Sequence, residues 1–211
     1  MKLNFIFSHL HALVLAVWVV FLIIVAIRFF RQALVKNISF FKLIVIAIGF
    51  IIFHGLFVSW GQYYVWVTSS DVTRSLLDAP LSKQVPFPVY LEFIRPFFEN
   101  HFGYFLFYIL GRVWLNILIS FLISGILYFL FRVWQFYRGG FLSQGPELLL
   151  VLMLISGFPG VLVSVPLGFV LSILLFGFSY LKGNKVVHIE PVFIFTTLFA
   201  LLFTRMILNV L

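Results

Sequence analysis

Two arginines stand deep in apolar sequence, each with a companion one helical turn on. Arg112-Val-Trp-Leu-Asn116 and Arg205-Met-Ile-Leu-Asn209 place a guanidinium and a carboxamide at i and i+4, on one face of a helix. An ionisable side chain at the centre of a membrane helix costs at least ~2.5 kcal/mol on insertion scales. Arg presents a planar fork of donors suited to phosphate, so two converging guanidinium groups could hold a lipid phosphate. The competing reading is snorkelling, in which the long stem carries the charge to the interface unaided. His54, in Phe53-His54-Gly55, is another ionisable group inside an apolar stretch. It is either a buried base or a donor bonded to a neighbouring backbone carbonyl. His9 and His11 are two residues apart, face different sides of a helix and make a poor metal pair. With no Cys, the sequence predicts no thiol catalysis and no Cys-ligated metal site, and no other metal site is expected. It also carries no Gly-rich phosphate loop, no His-Glu-x-x-His, no Gly-x-Ser-x-Gly and no span with paired carboxylates, so no cofactor is expected.

The elements that must position these groups follow from composition. Of 211 residues, 64% are hydrophobic and 9% are charged. A soluble domain carries about 25% charged residues, so this chain takes lipid as its solvent. The expected fold is all-α, a polytopic integral membrane bundle of about six helices in a single transmembrane domain, 1–211. Charge-poor stretches place spans near 8–30, 43–70, 101–131 (interrupted by Arg112) and 190–211 (with Arg205 near its end), each long enough for a core that needs roughly 20 apolar residues. The stretch 147–182 is too long for one helix and is punctuated by Gly157-Phe-Pro-Gly160 and Pro166, predicting two short helices or a re-entrant pair.

The net charge of +8 is read as an address rather than as a nucleic-acid footprint. With the N-terminus outside, Arg28, Arg31, Lys36, Lys42, Arg132, Arg138, Lys182 and Lys185 fall on the cytoplasmic side. Lys2, Arg74, Lys83 and Arg95 fall opposite, in keeping with the positive-inside rule. Arg112 then lies about ten residues below the outer end of its helix, roughly 15 Å deep. The 68–101 segment becomes an extracytoplasmic arm. Its Tyr90-Leu-Glu-Phe-Ile-Arg-Pro-Phe-Phe98 stretch alternates apolar and charged positions, as a segment lying on the outer interface would. Trp60, Gln62, Tyr63 and Tyr64 form an aromatic belt, and Ser120, Ser124, Ser172, Thr196 and Thr197 are expected at helix-packing positions.

The order of spans and loops resembles prolipoprotein diacylglyceryl transferase over nearly the whole chain. In that family the first helix enters from outside and ends in Arg-rich residues, as at Arg28 and Arg31. A short turn like Asn37-Ile-Ser39 leads to a second helix beginning like Lys42-Leu43. Val58-Ser59-Trp60-Gly61-Gln62-Tyr63 is similar to the family's Gly-Ala-Arg-x-Gly-Tyr motif, with Ser59 in the place of Arg. Gly111-Arg112…Asn116 echoes its Gly-Arg-x-Gly-Asn signature, and His101-Phe-Gly103-Tyr its His-Gly-Gly helix. Pro166-Leu-Gly-Phe-Val-Leu-Ser172 resembles Pro-x-Gln-Leu-Tyr-Glu-Ala, and Arg205…Asn209 the closing Arg-Phe-x-x-Glu, with Asn209 in the acid's place.

The resemblance implies a multi-pass protein of the cell membrane that transfers diacylglyceryl from phosphatidylglycerol to the Cys of a lipoprotein precursor. It implies Arg112, Asn116, Arg205 and Asn209 as headgroup ligands, with His54 or His101 as base. The replaced anchors equally imply a non-catalytic relative on the same scaffold. The expected partners are membrane phospholipid and a lipoprotein precursor or another membrane subunit, with no nucleic acid. A second resemblance, to prepilin peptidase, rests on Gly145-Pro-Glu-Leu-Leu-Leu…Gly157-Phe-Pro-Gly160 and His188-Ile-Glu-Pro-Val-Phe193. That family works with two aspartates sharing a proton. Here Gly145 takes the place of one, and Asp71, which could stand in for the other, maps to the outer side. A non-catalytic membrane scaffold is the third reading.

Overall fold

The computed structural model describes residues 2–31, 37–87, 89–138, 145–182 and 189–210, without the side chains of 2–8, 90, 91, 138, 205 and 207–210. Lipid offers backbone groups no hydrogen-bond partner, so a spanning segment must satisfy them internally. Accordingly, every regular element among the described residues is helical: α1 (Lys2–Phe30), α2 (Phe40–Ser69), α3 (Asp71–Leu77), a 3-10 segment (Val89–Phe97), α4 (Gly103–Ile109), α5 (Leu115–Arg138), α6 (Gly145–Leu181) and α7 (Glu190–Val210). A π-helical turn, Leu110–Trp114, joins α4 to α5. Four helices are long and apolar enough to cross a membrane: His9–Phe30, Phe40–Ser69, Gly103–Tyr137 and Gly145–Leu181. The protein is a multi-pass membrane protein. Large apolar side chains such as Phe41, Phe53, Leu122, Phe129 and Ile173 stand exposed on these helices, as they do when lipid is the solvent.

The chain divides into two compact units, Met1–Phe50 with Ile119–Leu211, and Ile51–Leu118. In the first, α6 is broken at Gly157 (φ 59°, ψ 177°) and Phe158, a backbone excursion that glycine tolerates at positive φ. A straight helix would set Glu147 and Phe169 about 33 Å apart. Yet neighbouring residues of α5 reach both: Arg132 Nη1 lies 2.8 Å from Glu147 Oε1, and the Phe131 and Phe169 rings stack at 5.9 Å. α6 is therefore bent at this break rather than running straight, at the Gly157-Phe-Pro-Gly160 stretch where the sequence predicts an interruption. The first limb is the core of this unit. Leu148, Leu149, Val151, Leu152, Met153, Leu154 and Ile155 are all buried, and several join Leu22, Val25, Leu43, Phe131 and Phe193 in one cluster.

The second limb packs on α7 through small residues. Gly160, Ser164, Gly168 and Ser172 recur every fourth position and are all buried. This suits a lipid solvent, where helices associate by close packing rather than by hydrophobic expulsion. A Cβ on Gly168 would meet the Phe193 ring at 2.6 Å, and one on Gly160 would touch Thr204 Oγ1 and Ala200 Cβ. The predicted packing residues Ser120, Ser124, Ser172, Thr196 and Thr197 are all buried.

In the second unit, Ser70 caps α3 reciprocally with Thr73. The chain then returns as an irregular strap with a turn at Ser82–Val85, the Leu81 N–H donating to Phe98 O (2.8 Å). Phe102 takes a left-handed conformation (φ 64°) ahead of α4, and Gly103 follows because any Cβ there would lie 1.7 Å from Phe98 O. Trp66 of α2 packs on Tyr104, Phe105 and Tyr108 at centroid distances of 6.1, 5.2 and 5.1 Å.

Candidate functional site

Arg112 sits in the middle of the π-helical turn. There the Leu115 N–H bonds to Leu110 O, five residues back, instead of the usual four. Such single wide turns within α-helices recur at functional sites, because they re-aim side chains without ending the helix. The Arg112 Nη1 donates to Tyr108 Oη at 2.6 Å, and its guanidinium lies 5.6 Å from the Tyr108 ring centre. Tyr108 thus supplies both an acceptor and a cation–π face. Ion pairs join Arg95 to Glu92 and Glu99, and Arg132 to Glu147; among the described residues Arg112 pairs with no carboxylate. It remains exposed, inside a helix otherwise free of charge from Gly103 to Phe131.

An open cleft of about 520 Å³ adjoins it, lined by Leu81, Val85, Tyr104, Phe107, Tyr108, Gly111 and Arg112. Two elements build it. The helix contributes one wall, and the strap ahead of the 3-10 segment contributes Leu81 and Val85. Gly111 opens the floor: a Cβ added there meets nothing within 4 Å. The cleft therefore offers one cation and two tyrosines in an otherwise apolar lining. That combination suits an amphiphile with an anionic group, since a small number of placed polar groups fixes orientation and apolar walls supply burial.

The other predicted site residues are placed differently. Asn116 does stand one turn from Arg112, but its Nδ2 donates to Arg112 O at 3.2 Å and the residue is not in the cleft lining. His54 is half-buried on α2, and His101 is exposed in the turn before α4; neither lines the cleft. Arg205 and Asn209 belong to α7 by backbone, and their side chains lie outside the described residues. No three His, Cys, Asp or Glu side chains gather into a metal-binding group among the described residues. Tyr108 is the site residue that sequence reading missed. Its signal was present, since Tyr108 stands at i−4 from Arg112 just as Asn116 stands at i+4. Ser59, in the place of the family's Arg, accepts from Trp114 Nε1 at 3.2 Å and donates to Gly55 O at 2.8 Å. Comparisons with protein-family models, with curated proteins and with solved structures found no match.

Proposed function

We propose that this protein is a multi-pass cell-membrane protein that binds a phospholipid, holding the headgroup phosphate on Arg112 and the adjoining apolar part of the lipid in the cleft. The observation that carries this is Arg112 itself: a guanidinium with no carboxylate partner among the described residues, turned by a π-helical step onto a cleft whose other walls are aromatic and aliphatic. A phosphodiester supplies the missing anion, and a guanidinium fork suits it. On this reading the N-terminus lies outside and the 68–101 arm is extracytoplasmic, because that orientation leaves the larger basic set inside. Counting both limbs of α6 gives about six membrane-entering segments.

The transferase reading asks for more. Moving a diacylglyceryl group onto a thiol needs a base within hydrogen-bond reach of the reacting proton. The cleft lining contains no histidine or carboxylate, so binding rather than group transfer is the function proposed. The test is native mass spectrometry of the delipidated chain offered phosphatidylglycerol, diacylglycerol or inorganic phosphate. Retention of phosphatidylglycerol above both others, lost in Arg112→Gln, supports the proposal. Equal retention of phosphatidylglycerol and diacylglycerol, or no loss in Arg112→Gln, overturns it.

A further inference from the structure

The segment that gives the cleft its second wall has another side. From Ala79 to Phe98 the chain is tied down at many points. Leu81 N–H bonds to Phe98 O, Tyr104 N–H bonds to Ala79 O at 3.1 Å, and Phe87, Phe98 and Phe107 form a mutual aromatic triad at 5.5–5.9 Å. Arg95 is the hub. Its side chain is only 16% exposed, pairs with Glu92 (3.0 Å) and Glu99 (3.3 Å), donates to Lys83 O (2.6 Å), and covers the Phe87 ring at 5.8 Å. Arg95, Glu92 and Glu99 are therefore spent on one another. The apolar residues are not: Val89, Phe93 and Phe97 are 89%, 75% and 71% exposed on a single 3-10 segment, while Phe98 immediately after it is buried.

An anchored segment that turns three large apolar side chains away from its own core has a partner for them. Its place in the chain says which. The arm joins the end of α2 to the start of α4, both belonging to helices that can cross a membrane, so it lies where those helices leave the hydrocarbon. Exposed apolar side chains beside a buried, paired arginine, on a short segment between two such helices, suit an element lying in the interface plane.

We infer that the arm is an interfacial platform, with Val89, Phe93 and Phe97 seated at the headgroup–acyl boundary while Arg95 fixes the strap that carries Leu81 and Val85. One segment then both rests on the bilayer and walls the cleft. This inference does not rest on phosphate binding at Arg112 and stands or falls separately. The chain contains no Cys, so single labels are unambiguous. Spin labels at Val89→Cys, Phe93→Cys, Phe97→Cys and, as a control, Lys83→Cys are measured in the full chain in phosphatidylcholine vesicles. A neutral lipid keeps headgroup selectivity out of the result. The expected outcome is that labels at 89, 93 and 97 relax through collision with oxygen more than with a water-soluble nickel chelate, and that the label at 83 shows the reverse. Preferential nickel access at 93 and 97 overturns the inference. So does strong dipolar broadening between chains, which would show a second copy covering the face.

Discussion

Tyr108→Phe isolates the contact that sets the Arg112 fork. The substitution keeps the ring, and with it the 5.6 Å cation–π approach, while deleting the acceptor 2.6 Å from Nη1. An intramolecular hydrogen bond contributes about 1 kcal/mol net, and one to a charged group about 1.5–3 kcal/mol. Tyr108 contacts the lipid phosphate only through the arginine it holds, so its loss frees a rotamer-rich side chain without removing the charge. The expected loss of phosphatidylglycerol affinity is therefore about 1 kcal/mol, roughly fivefold. Arg112→Gln removes the charge-assisted bonds themselves and costs about 1.5–3 kcal/mol, roughly ten- to 150-fold. The double variant should bind no more weakly than Arg112→Gln alone, because the two residues act as one unit. Titration of the three variants with phosphatidylglycerol in detergent micelles measures this cycle. Additive losses, or a larger loss in Tyr108→Phe than in Arg112→Gln, refute the view that Tyr108 works through Arg112.

Other expected outcomes follow from single contacts. Gly111→Val should fill the floor of the cleft and weaken lipid binding without lowering the melting temperature, since its Cβ meets nothing within 4 Å. Gly168→Ala should destabilise the α6–α7 seam by about 1–3 kcal/mol in thermal unfolding, because its Cβ would lie 2.6 Å from the Phe193 ring, and Phe193→Leu should restore part of the loss. Ser59→Ala removes the acceptor of the Trp114 indole and should cost about 1 kcal/mol of stability, read by denaturation followed through tryptophan fluorescence.

Much of the architecture was legible because lipid simplifies the code: charge-free length marks spans, and buried hydroxyls mark seams. The Gly160, Ser164, Gly168, Ser172 stripe is equally legible, as small residues at every fourth position. The geometry of the break in α6 was not fixed by pattern, because it depends on the φ and ψ that Gly157 and Phe158 adopt. At the site, depth in an apolar span identified Arg112, and helical spacing could have identified Tyr108. Leu81 and Val85 could not be read, since a strap some thirty residues upstream reaches the helix only through tertiary contacts. Asn116 shows the limit of spacing arguments: its amide bonds the Arg112 carbonyl one turn back, a local competition that i, i+4 placement alone does not reveal.

The central claim is that a lipid phosphate rests on the Arg112 guanidinium. Solid-state NMR of the chain carrying 15N-arginine, in bilayers containing phosphatidylglycerol, measures it directly through 15N–31P dipolar dephasing. The account predicts a guanidinium signal dephased by lipid phosphorus in the wild type and missing in Arg112→Gln. The same dephased signal in both proteins would contradict it.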